Sequence, residues 1–225
     1  MERVPTPVTL DDVRKNQRIE VLLRQANDHL GVEGYTEHGF RHAQLVSSIS
    51  RQVLSRLGYT EREGELAAIA GYLHDIGNVV SRADHGRSGA VLVAPILFEL
   101  GMEAGEVAQV LGAIGNHEDE VGRAVNAVAA ALILADKSDV HRSRVRNADL
   151  AKFDIHDRVN YAVERSFLKV DTAQRTVTLE LTIDVKLVPV MEYFEIFLSR
   201  MVMCRRAAEF LSTRFGLVIN RTTLL

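Results

Sequence analysis

The sequence predicts a mostly α-helical fold with a small β-hairpin and one long helix near its C-terminus. Three observations predict it. Apolar residues recur at helical spacing from residue 9 to about 137. The runs are bounded by capping residues and glycines. A single period-2 alternation is confined to the C-terminal third.

Thr9 reads as an N-cap, with Asp11 and Asp12 in the first turn where acids favour the helix dipole. The spacing predicts one helix from there to His29-Leu30, stopped by Gly31. Residues 34–39 read as a loop. Val46, Ile49, Val53, Leu54 and Leu57 mark a second helix, closed by Gly58. Thr60 with Glu63 forms a capping-box pattern. It opens a helix through the apolar run Leu66–Leu73, expected to end at Gly77. After a loop over 78–84, Ala90, Val91, Val93, Ala94, Ile96 and Leu97 predict a helix from about Gly86 to Gly101, with Pro95 as a candidate kink. Two more helices are expected, from Ala104 to Gly115 and from about Arg123 to past Lys137. Val177, Leu179, Leu181 and Ile183 then alternate with polar residues as a strand, with Phe167–Asp171 as hairpin partner. After Pro189, Met191, Phe194, Phe197, Leu198, Met201 and Leu211 form the stripe of a long amphipathic helix, read as core or dimer interface. The expected organisation is an N-terminal helix over 1–35, a helical core over 36–150, and an annex over 151–225 that serves a homodimer or a substrate lid.

Composition narrows the class. The chain has 225 residues, 47% hydrophobic and 25% charged, enough for a full core. A net charge of −3 argues against nucleic acid as a bulk electrostatic partner. The single cysteine, Cys204, rules out an intrachain disulfide and suits a reducing cytoplasm. The N-terminus carries charges and no apolar signal core, and the most apolar window, Val125–Ala135, is too short to span a bilayer. A cytoplasmic protein with no membrane partner is expected.

Chemistry enters at His74-Asp75, which closes an apolar run. A buried carboxylate without a partner costs several kcal/mol, and a metal ion would neutralise it. His42, His85, His117 and Asp136 sit at comparable helix boundaries, and a helical bundle can converge such residues on one interior point. Four imidazoles and two carboxylates can hold two divalent metals, one carboxylate bridging. The N/O set without thiolate suits Fe, Mn, Co or Zn, with Fe or Mn expected. There is no Gly-x-Ser-x-Gly elbow and no Walker A loop.

The order His38-Gly39-Phe40-Arg41-His42, then Gly71-Tyr72-Leu73-His74-Asp75-Ile76-Gly77, then Ile133-Leu134-Ala135-Asp136-Lys137 resembles the HD-domain superfamily of metal-dependent phosphohydrolases, over residues 36–146. The resemblance implies an HD-domain helical bundle in which His42, His74, Asp75 and Asp136 bind a first metal. It matches His85 and His117 to the extra histidines of the dinuclear subgroup, with Asp75 as the bridge. The chain has His117-Glu118 where the cyclic-dinucleotide phosphodiesterase branch has a double histidine, and it lacks that branch's Gly-Tyr-Pro. The resemblance implies that a hydroxide held between two metals attacks phosphorus, with Asp75, His85, His117 and Lys137 as the catalytic set. Lys137, Arg142 and Arg82 are the expected phosphate-binding residues of a small phosphorylated substrate, a nucleotide for preference. Two alternatives share the ligand set: a mixed-valent diiron oxygenase of the same superfamily, and a module that only senses a nucleotide.

Overall fold

Thr9 does cap a helix, but that helix is short. The computed structural model describes residues 7–119, 122–147 and 153–225. Helix α1 (Leu10–Arg14) opens on a reciprocal capping box between Thr9 and Asp12. Asn16 is then extended, and its side chain accepts from the N–H groups of Arg18 and Ile19 to open α2 (Gln17–Val32). The single N-terminal helix expected from the spacing is thus two, because Asn16 is a better cap than helix interior residue.

Helix α3 (Phe40–Arg56) carries His42 on its buried side, and Gly58 beyond it is left-handed at φ +85°. Helix α4 (Glu61–Leu73) opens on the expected Thr60–Glu63 capping box. It stops at Leu73 rather than Gly77, and a 3-10 turn occupies Ile76–Val79, so His74 and Asp75 lie at the junction. Helices α5 (His85–Glu99), with Pro95 inside it, and α6 (Ala104–Gly115) follow. Helix α7 (Ala127–Asp136) starts later than residue 123, because Asn126 accepts from the Ala129 N–H and caps it.

The C-terminal third contains more than a hairpin and a helix. Helix α8 (Ile155–Ala162) leads into β1 (Val163–Asp171), which pairs antiparallel with β2 (Thr176–Ile183). Helix α9 (Val190–Phe210) crosses over to β3 (Arg214–Ile219), parallel to β2, and β4 (Thr222–Thr223) closes the edge. The sheet order is β1-β2-β3-β4. A parallel pair needs such a long crossover, which explains why β3 is invisible to a search for hairpins.

Two helices are buried all round, as uniformly apolar helices must be: Leu66–Leu73 of α4 and Val128–Ala135 of α7. Gly71 permits a close approach of α3 to α4, because a Cβ there would lie 2.9 Å from the backbone N and Cα of Ser47. That contact draws α3 against α4 and His42 toward His74. Helix α9 packs on α7, and one apolar cluster runs from Val8 to Ile219. Among the described residues no helix is long and apolar enough to cross a membrane.

Candidate metal centre

The six His and Asp residues singled out in the sequence come together at the C-terminal ends of α4, α6 and α7. His42 Nε2 lies 3.1 Å from His74 Nε2, 3.3 Å from Asp136 Oδ1 and 3.5 Å from Asp75 Oδ2. His74 Nε2 is 3.3 Å from Asp75 Oδ2 and 3.6 Å from Asp136 Oδ1. On the other side of Asp75, Oδ1 is 3.3 Å from His85 Nε2, which is 3.1 Å from His117 Nε2. Oδ2 of Asp75 therefore faces His42 and His74, and Oδ1 faces His85, which stands beside His117.

The donor atoms fit metal ions. Donors about 2.1 Å from a common ion stand roughly 3.0–3.4 Å apart, close to the observed separations. The ring tautomers point the same way. Nδ1 of His42 faces Asp139 Oδ2 at 2.7 Å, and Nδ1 of His74, His85 and His117 faces the carbonyls of Gly71, Arg82 and Ile114 at 2.9, 3.0 and 2.6 Å. With Nδ1 donating, each Nε2 presents a lone pair. Two lone pairs 3.1 Å apart repel unless a cation or an added proton sits between them. Asp75 Oδ2 is buried with no hydrogen-bond partner, as an oxygen reserved for a cation would be. The negative ends of α4, α6 and α7 favour positive charge here, and the first turns of α3 and α5, which carry His42 and His85, oppose it.

The comparison with known proteins agrees with this geometry. The HD-domain family model matches residues 39–159, more than half of the chain. The chain belongs to the HD-domain family. An uncharacterized protein of Methanocaldococcus jannaschii is 26% identical over 182 residues, covering 71% of this chain and 70% of that relative. Two groups that could hold a metal ion, His42-His74-Asp136 and His74-Asp75-His117, both fall inside the HD domain.

Electrostatics of the HD site favour bound cations. Burial pushes the Asp75 and Asp136 carboxyls up, but His74 beside Asp75 and Lys137 beside Asp136 hold both well below the ordinary carboxylate range. Burial, with His74 and His85 alongside, pushes His117 well below its ordinary value, so its imidazole is neutral. Burial opposes charge on His74, yet Asp75 and Asp136 raise it to about 10. Without metal, a proton on His74 takes the place of the cation. Metal must displace that proton, so affinity falls about tenfold for each pH unit below that value. Between pH 6 and 8 the apparent affinity for Mn is expected to rise on the order of 100-fold, with release of a proton measurable by calorimetry in two buffers. A flat profile would contradict the assignment.

Residues around the candidate ligands hold them in place. Asp139, missed in the sequence though it lies three residues beyond Asp136, accepts from His42 and, at 2.8 Å, from Arg41 Nη2. Burial pushes Asp139 up, but His42 and Arg144 hold it well below its usual value. Glu118 Oε1 lies 3.0 Å from His85 Nδ1 and also accepts the Gly86 N–H, fixing His85 at the start of α5. Substituting His117 by alanine is expected to lower the metal content per chain, measured by elemental analysis.

A polar cavity of about 130 Å³ opens beside Asp75, His85, His117 and Asp136. Arg82, Lys137, Arg144 and Arg200 bring positive charge to its wall. Lys137 is buried, with Nζ 2.7 Å from Asp136 Oδ2 and 2.8 Å from Asp119 Oδ1, so it orients a ligand and is largely neutralised. The structure does not bring Arg142 here. It pairs with Glu164 at 3.3 Å and stacks over Tyr161, because the backbone turns into a 3-10 segment at Arg142–Arg144 and aims alternate side chains apart. Arg144 faces inward instead. Arg200, on α9, shows that the annex reaches the site. Its Nε donates to Asp119 Oδ2 at 2.9 Å.

Proposed function

We propose that this HD-domain protein is a metal-dependent phosphohydrolase acting on a nucleotide or another small phosphate ester. One observation carries the reading: the cluster of six ligands opens onto a polar cavity walled by arginines. Two divalent ions in the cluster, Fe or Mn by the donor set, would supply Lewis acidity and lower the pKa of water from 15.7 toward about 7. The chain's own residues do the rest. Asp75 spans the two imidazole pairs and fixes their spacing. Arg82, Arg144 and Arg200 line the cavity wall and bring the positive charge that holds an anionic ester there. Cys204 is no competing nucleophile, since burial pushes its thiol up to about 12. A lone buried cysteine fits a reducing cytoplasm.

The test is a nucleotide and phosphoester panel with Mn- or Fe-loaded protein. Release of phosphate or nucleoside is expected. Substrate-free oxygen uptake with an iron signal in partly reduced samples, or tight binding without turnover in fully metallated protein, would replace the reading with an oxygenase or a sensor.

A further inference from the structure

Beyond the inner cavity lies an outer chamber of about 380 Å³, and the two share a wall made by His38, Arg82, Arg144 and Arg200. Three arginines crowd that wall, and the carboxylate nearest Arg144, Asp139 Oδ2 at 3.7 Å, is shared with Arg41 and His42. Arg144 is 4% exposed; its Nη1 donates to the Asp139 carbonyl at 2.8 Å and its Nε to the Glu37 carbonyl at 3.1 Å, while Nη2 has no partner. A buried guanidinium N–H without an acceptor is costly, and in the wall of a polar cavity it awaits an anion. Arg82 makes one long hydrogen bond, 3.3 Å to Asn78 Oδ1, and lies over the Tyr35 ring. Among the described residues no carboxylate is within ion-pair distance of Arg82. Arg200 shares Asp119 with Lys137. Next to the ligand cluster, by contrast, Lys137 is already matched by Asp136 and Asp119.

We infer that the arginine wall is a second anion subsite, and that the substrate carries two linked phosphates. The terminal phosphoryl enters the inner cavity beside the ligand cluster. The next phosphate spans Arg82, Arg144 Nη2 and Arg200, whose forked donors suit phosphate oxygens. A substrate with a single phosphate would leave one of these two sets unanswered. The remainder lies in the outer chamber, where the exposed Tyr35 offers ring surface and Asp154 and Asp157 offer acceptors. Those features match a base and the hydroxyls of a sugar, so the class is a nucleoside diphosphate or a longer phosphoanhydride. This rests on the phosphohydrolase reading for the terminal group, but the subsite itself is testable by binding alone.

The experiment compares methylenediphosphonate with methylphosphonate by calorimetry, on Mn-loaded and on chelator-treated protein. Diphosphonate is expected to bind at least about tenfold tighter in both forms. Arg82→Gln is expected to reduce that ratio severalfold, weakening diphosphonate more than methylphosphonate. It should fold, since Arg82 is half-buried and makes one long hydrogen bond. Arg144→Gln, read by the same ratio, provides a second variant. Equal affinities for the two phosphonates, or an unchanged ratio in folded Arg82→Gln, would overturn the subsite. Monophosphate hydrolysis without discrimination sinks the subsite and leaves the phosphohydrolase reading. An Arg82-dependent preference with no hydrolysis of any phosphoester does the reverse.

Discussion

Replacing Asp75 with asparagine is expected to weaken both metal positions together and to lower activity on the order of 10³-fold or more. Among the described residues, Asp75 is the carboxylate with oxygens within 3.5 Å of both His42–His74 and His85. Oδ2 meets His42 and His74 at 3.5 and 3.3 Å, and Oδ1 meets His85 at 3.3 Å. An amide keeps the shape and the 3.0 Å hydrogen bond from Asn78 Nδ2 to Oδ1. It removes the charge, and it places an NH₂ where one pair needs a lone pair. The fold should survive, because the variant buries one less charge among apolar helices. The measurements are elemental analysis after gel filtration and the thermal shift produced by added Mn. Wild-type protein should gain about 2.7 kcal/mol at a metal concentration 100 times its Kd, and the variant almost nothing. A variant that still carries two ions per chain would overturn the bridging role.

The ligands and the scaffold differed in how openly the sequence displayed them. His74-Asp75 and Asp136 stand out because they interrupt helices that are otherwise apolar on every side, where an ionisable group has no ordinary reason to be. Asp139 and Arg144 look like parts of a solvated, charged stretch. Only the turn at Arg142–Arg144 decides which of the alternate arginines points inward. Arg200 is less legible still. In α9 it is one polar position on an amphipathic helix, and its place at the site depends on α9 packing against α7. The same limit applies to the fold. Helix stops at Gly58 and Gly101 are local, since both residues adopt positive φ. The break at Asn16 is local too, but its cap competes with a helical pattern that runs through it. Strand β3 is non-local, because it exists through pairing with β2 across an intervening helix.

Gly77→Ala is expected to be the most destabilising conservative change near the site. A Cβ at Gly77 would lie 1.9 Å from the His85 carbonyl oxygen and 2.5 Å from the Gly89 N. Both atoms belong to the backbone of α5, so no flexible side chain can move aside. The 3-10 turn carrying Asp75 and the helix carrying His85 would have to separate. Core clashes of this kind cost about 4 kcal/mol or more, or about 10 °C in melting temperature for a chain of this size. Because the strain falls between Asp75 and His85, the second metal position should weaken before the first. Gly101→Ala provides the contrast. Its φ is +90° with nothing within 4 Å of the added carbon, so only the left-handed backbone is penalised. The cost there is about 1 kcal/mol, with no effect on metal content. Denaturant unfolding of the metal-free proteins measures both. Equal losses in the two variants would show that Gly77 is required for its conformation, not for the contact between the two backbones that holds Asp75 against His85.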